Sequence, residues 1–161
     1  MLFKGRLFLK QFIPNKRHRF GIKIFVLCDC ETGYVLDFHV YTGSSINIEE
    51  HNLGKSGDFI ATLISPYLNK GHRLFVDNWY TSPVLFSWLY NRATNACGTV
   101  RRTRKEMPKM EERLKKGELT FRTSKELISI KWCDKREVWM LSTFHEPGFV
   151  KTGKIDRITG V

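Results

Sequence analysis

The stretch Arg73-Leu74-Phe75-Val76-Asp77-Asn78-Trp79-Tyr80-Thr81-Ser82-Pro83 decides how this chain is read. Its first four residues suit a short strand, and an acid stands directly at that strand's carboxyl end. Ser82 followed by Pro83 is a helix cap with a proline in the first turn, and Leu85, Phe86, Trp88 and Leu89 continue at helical spacing. Residues 96–100 fit a second short strand. A carboxylate at a strand tip, followed by a helix start, is how an α/β sheet offers a metal-binding acid to a cleft, while adjoining basic surface can hold a phosphate backbone. One aspartate, however, is not an active site.

Upstream, residues 4–12 permit a strand ended by Pro14-Asn15. Residues 21–28 are almost continuously apolar and rich in β-branched side chains, which suits a central strand covered on both faces. After the turn set Asp29-Cys30-Glu31-Thr32-Gly33, residues 34–41 alternate Leu36, Phe38 and Val40 against Val35, Asp37 and His39, so a hairpin follows and three antiparallel strands open the domain. Residues 42–56 read as a loop. Phe59, Ile60, Leu63, Ile64, Tyr67 and Leu68 then recur at helical spacing, with Pro66 placed to kink or end that helix.

Downstream the composition turns basic: Arg101, Arg102, Arg104 and Lys105, then Lys109, Arg113, Lys115 and Lys116. A helix is expected around residues 109–116, then a hairpin of residues 127–132 and 137–143 across Cys133-Asp134-Lys135-Arg136. Residues 144–161 show little periodicity. The organisation expected is a core over 1–100, a basic insertion with a β-hairpin over 101–143 and a loop-rich tail over 144–161.

With 161 residues the chain suits one main domain. Its 27 Lys and Arg against 16 Asp and Glu give a formal net charge of +11, which makes nucleic acid the first partner to consider. The competing reading is a solvated basic surface or a place in an acidic assembly. Cys28, Cys30, Cys97 and Cys133 lack the spacing of a zinc site and read as free thiols in a reducing compartment. His18, His39, His51, His72 and His145 are dispersed and suggest no ligand cluster. No stretch is apolar for the length of a membrane span, and the first residues lack the apolar core of a secretory signal.

Several segments together resemble the transposase domain of piggyBac elements and the host proteins derived from them. They are Phe3-Lys4-Gly5-Arg6, Ile13-Pro14-Asn15-Lys16, Phe20-Gly21-Ile22-Lys23, Gly33-Tyr34-Val35-Leu36, Tyr41-Thr42-Gly43, Asp77-Asn78-Trp79-Tyr80-Thr81-Ser82, Cys97-Gly98-Thr99-Val100-Arg101 and residues 132–143. Each is short, and their order across nearly the whole chain is what makes the match specific. The resemblance implies a ribonuclease H-like mixed sheet, three antiparallel strands followed by helix, strand, helix and strand, here with a basic insertion and truncated at both ends. It also implies nuclear DNA chemistry, in which three aspartates and divalent metal, usually Mg, hydrolyse and join strands. Two cations about 4 Å apart activate the attacking oxygen and stabilise the leaving one.

The second of those aspartates falls on Asp77, with Asn78 and Trp79 supporting the strand end. By the resemblance, the first precedes Phe3-Lys4-Gly5-Arg6 and the third follows residues 154–160, so both are expected to fall outside this chain, as are the family's amino-terminal DNA-binding and dimerisation region and its cysteine-rich domain. Among the other acids, Asp29, Asp134 and Asp156 read as turn or tail residues, and Asp37 is the one substitute worth testing. A lone carboxylate holds Mg weakly, because the ion needs several anionic partners.

The resemblance places the segment of Arg101, Arg102, Arg104 and Lys105 on the DNA-facing side. Four phosphate contacts there give a log–log salt slope of about −3 to −4. Trp79 and Tyr80 suit either stacking on a frayed base or packing near the helix start. The expected function is therefore a transposase-derived fragment, non-catalytic, that binds DNA. The alternatives are an active metal-dependent transposase completed by a longer product or partner chain, and a poorly folded pseudogene product.

Overall fold

Strand, helix and strand form over residues 73–99 as expected in a computed structural model of the chain, which describes residues 1–14, 17–42 and 48–150. The chain divides into two units, Met1–Leu68 and a second beginning at Asn69.

In the second unit, β5 (Arg73–Val76) and β6 (Asn95–Thr99) pair in parallel, with α2 (Pro83–Tyr90) between them in sequence. Ser82 Oγ accepts from Leu85 N at 3.3 Å, so the serine caps α2 as its sequence position requires. Leu85, Phe86 and Leu89 of α2 are fully buried, as is Ala96 of β6. Each large side chain removed from water contributes about 1.5–3 kcal/mol, which fixes the helix in the unit. Three further strands, β7 (Leu119–Ser124), β8 (Leu127–Cys133) and β9 (Glu137–Ser142), continue the sheet in the order β5-β6-β9-β8-β7, all antiparallel beyond β6. The second unit is thus a five-stranded mixed α/β sheet. On the face away from α2 the register sets Phe75, Met140, Phe121 and Trp132, all exposed, beside Cys97, Ile128 and Ser142, which are buried, and Phe144 meets Phe75 edge-on at 6.1 Å between centroids.

The first unit departs from the expected three-stranded opening. It holds two separate two-stranded ribbons, β1 (Lys10–Phe12) with β2 (Phe20–Ile22) and β3 (Ile24–Cys28) with β4 (Val35–Val40). The apolar run 21–28 is interrupted at Lys23 and is no doubly covered central strand, since Val26 is 48% exposed. A continuous apolar run does not by itself reveal how many faces are covered. The hairpin between β3 and β4 forms as expected, its turn closed by Asp29, whose carboxylate accepts from the Thr32 hydroxyl and, at 3.0 Å, from Thr32 N, which together hold it below the usual carboxylate range. Helix α1 (Lys55–Ile64) starts within the expected loop, and Pro66 ends it in a 3-10 turn, Ser65–Tyr67. Buried Asp58 receives His51 N and Leu53 N, and Phe59 packs on Phe25 at 4.2 Å between centroids.

The helix expected around residues 109–116 is absent. The ammonium of Lys131, a residue only 3% exposed on β8, donates to the carbonyls of Met110 and Glu112, at 3.4 and 2.7 Å, and pairs with Glu137 at 2.9 Å. Those carbonyls serve the sheet's lysine in place of an i to i+4 ladder. Residues 144–150 carry neither helix nor strand, and residues 151–161, including Asp156, lie outside those described.

Candidate nucleic-acid interface

Asp77 follows β5 directly and is exposed, as expected of a strand-tip acid. Its Oδ1 accepts from Trp79 N at 2.8 Å, while its carbonyl accepts from Tyr80 N and Thr81 N, both at 3.2 Å, and from Thr81 Oγ1 at 2.9 Å. The acid therefore closes its own turn. Burial and the neighbouring Asp77 charge push the Tyr80 phenol above its ordinary range. Gly98 of β6 pairs with Val76, and a Cβ there would overlap the Val76 carbonyl and the Thr81 hydroxyl. A glycine at that point lets the strand and the Asp77 turn approach each other.

Two arginines hold this turn from the segment after β6. The Arg104 guanidinium donates to the carbonyls of Asn78 and Trp79, at 2.9 and 2.8 Å. Arg101 lies over the Trp79 ring, 5.1 Å from its centroid. Trp79 is 54% exposed, so packing in the core is ruled out for it. Arg102 and Lys105 are exposed, and Arg102 lies close enough to Glu137 to help hold that carboxyl below its usual range, after the larger effect of the Lys131 hydrogen bond. Asn78 is exposed and acts through its carbonyl.

The sheet brings in two cations that the sequence reading did not include. Thr99 at the end of β6 pairs with Met140, and β9 runs antiparallel to β6, so the β8–β9 turn lies at the same end of the sheet as Asp77 and Arg101. Lys135 and Arg136 occupy that turn and are exposed. The hairpin was legible in the sequence; its neighbour in the sheet was not. A groove of about 570 Å³ is bordered by Arg102, Lys109, Arg113 and Lys131, but Glu111, Glu112 and Glu137 line it too and offset most of that charge.

Asp29 closes the β3–β4 turn, Asp37 sits within β4, and Asp134 lies in the β8–β9 turn. Among the described residues no three His, Cys, Asp or Glu side chains group so as to hold a metal ion. A divalent cation needs several oxygen ligands, and Asp77, with one oxygen already accepting from Trp79, does not supply such a set.

A transposase family described as Transposase IS4 matches residues 1–157. Human piggyBac transposable element-derived protein 3 is 30% identical over 149 residues, covering 86% of this chain. The chain belongs to the piggyBac transposase family. Human piggyBac transposable element-derived protein 2 is 28% identical over 142 residues, 80% of this chain. The chain spans about a quarter of the length of these relatives, 25% and 23% respectively. The piggyBac transposase in a cryo-EM synaptic complex with hairpin DNA matches 93% of the chain at 26% identity with a TM-score of 0.79, over 32% of its own length. Transposases of this kind generally use a divalent metal. Among the described residues no helix is long and apolar enough to cross a membrane.

Proposed function

We propose that this piggyBac-family chain is a non-catalytic DNA-binding domain acting in the nucleus, built on a ribonuclease H-like sheet. The observation that carries the proposal is the gathering of Arg101, Arg102, Lys105, Lys135 and Arg136 at the strand end that presents Asp77, where no three His, Cys, Asp or Glu side chains among the described residues group to hold a metal ion. Cations so clustered meet a phosphate backbone and release its counterions, whatever the sequence of the DNA. The parallel β5-α2-β6 unit with an acid at the first strand's tip supports the ribonuclease H-like assignment, and the neighbour solved with hairpin DNA supports the choice of partner. Phosphoryl chemistry needs a clamp of two cations, which a single hydrogen-bonded carboxylate does not gather.

Charge reversal tests the surface. Arg101→Glu, Arg102→Glu and Lys105→Glu together should abolish binding of a short duplex, whereas Lys70→Glu with Lys125→Glu, at the opposite end of the sheet, should leave it nearly intact. Equal losses from the two sets would remove the assignment. The intact Asp77 turn favours a second reading, an active metal-dependent transposase whose remaining acids come from a longer product or a partner chain. Asp77-dependent cleavage by a longer product that carries this segment, or by this chain with the partner that supplies those acids, separates the two.

A further inference from the structure

We infer that Trp79, with Arg101 against its ring, is a stacking platform for one unpaired nucleobase, a role that rests on the DNA-binding reading above. More than half of the Trp79 surface is open, yet its backbone is fixed on both sides, the N–H by Asp77 Oδ1 and the carbonyl by Arg104. An indole held this way loses little further freedom when a flat partner covers it. Arg101 lies over the ring, so it brings positive charge to a base stacked there and to that base's phosphate.

The surroundings select the ligand. Arg101, Arg102, Lys105, Lys135 and Arg136 at this end of the sheet oppose a cationic partner and favour a polyanion. An indole face favours a planar aromatic group, and a polyanion that carries such groups is a nucleic acid. The interior of a duplex keeps its base faces stacked on one another, so Trp79 can take a base only at an end or where a strand is unpaired. Tyr80 is half-buried and contributes less surface.

The test compares the full chain's affinity for a short blunt duplex and for the same duplex carrying a few unpaired adenines, by fluorescence anisotropy at one salt concentration. The wild type should prefer the overhang by about 5- to 150-fold, the weight of one base–aromatic stack. Trp79→Ala should lose that preference while keeping its affinity for the blunt duplex, and Trp79→Phe should retain part of it. A wild type without preference, or a preference that survives Trp79→Ala, overturns the platform and leaves the basic surface standing. Equal weakening on both DNAs by Trp79→Ala makes the ring a structural part and overturns it too. Binding to neither DNA removes the DNA-binding reading and the platform with it.

Discussion

Removing the Arg104 guanidinium separates a residue that builds the surface from residues proposed to meet DNA. In the structure one nitrogen of Arg104 donates to both Asn78 and Trp79 carbonyls, and its Nε is buried without a partner among the described residues. Bonds from a charged donor contribute about 1.5–3 kcal/mol each and an unsatisfied buried donor costs about 1–3, so the net for Arg104→Ala is a loss of about 1–3 kcal/mol. That loss falls on the Asp77 turn. Amide exchange at Trp79 and Tyr80 should speed up by about 5- to 150-fold, the same energy expressed as an opening equilibrium. The salt dependence of DNA binding gives the second readout. A phosphate contact carries about −0.9 of log–log slope, so Arg102→Ala should flatten the slope by about that amount, while Arg104→Ala should weaken binding with the slope unchanged. A flattening in Arg104→Ala, with Trp79 exchange unaltered, would make Arg104 a phosphate contact and refute the reasoning.

Two further outcomes follow from the same unit. Gly98→Ala should cost about 1–3 kcal/mol, read as a lower urea midpoint, because the new methyl overlaps the Val76 carbonyl and the Thr81 hydroxyl; an unchanged midpoint would show that the Asp77 turn yields freely. Glu137 is held below its ordinary range, first by the Lys131 hydrogen bond, so its stabilisation is complete above the usual glutamate value and fades as pH falls through the lowered one. Wild type should therefore exceed Glu137→Gln in stability at neutral pH, with the difference fading as pH falls from the ordinary glutamate value through the lowered one; a difference constant with pH would deny the Lys131 pairing.

The strand, acid, cap and helix from Arg73 to Tyr90 were legible because each signal is local: an apolar run, a serine cap and a first-turn proline. What the sequence hid depends on partners far along the chain. β7, with its polar Thr-Phe-Arg-Thr-Ser, lies at the sheet's edge and has no burial pattern to announce it. The charged run 109–116 has good helix formers, yet Lys131, some twenty residues on, takes the carbonyls of Met110 and Glu112. Local propensity loses to such a contact. At the site, Asp77 and the arginine cluster were readable as types and positions. The distribution of tasks among the arginines was not, because Arg104 reaches back over twenty-six residues to Asn78. Lys135 and Arg136 join the surface only through strand order.

The central proposal is that this chain offers DNA a cationic strand end with no metal-holding cluster of acids among the described residues and performs no chemistry on it. The most direct measurement is nicking of supercoiled plasmid by the purified chain in Mg or Mn, beside an Asp77→Asn variant that keeps the acceptor oxygen facing Trp79. The account predicts that both proteins match the protein-free background. Cleavage by the wild type that vanishes in Asp77→Asn would contradict it.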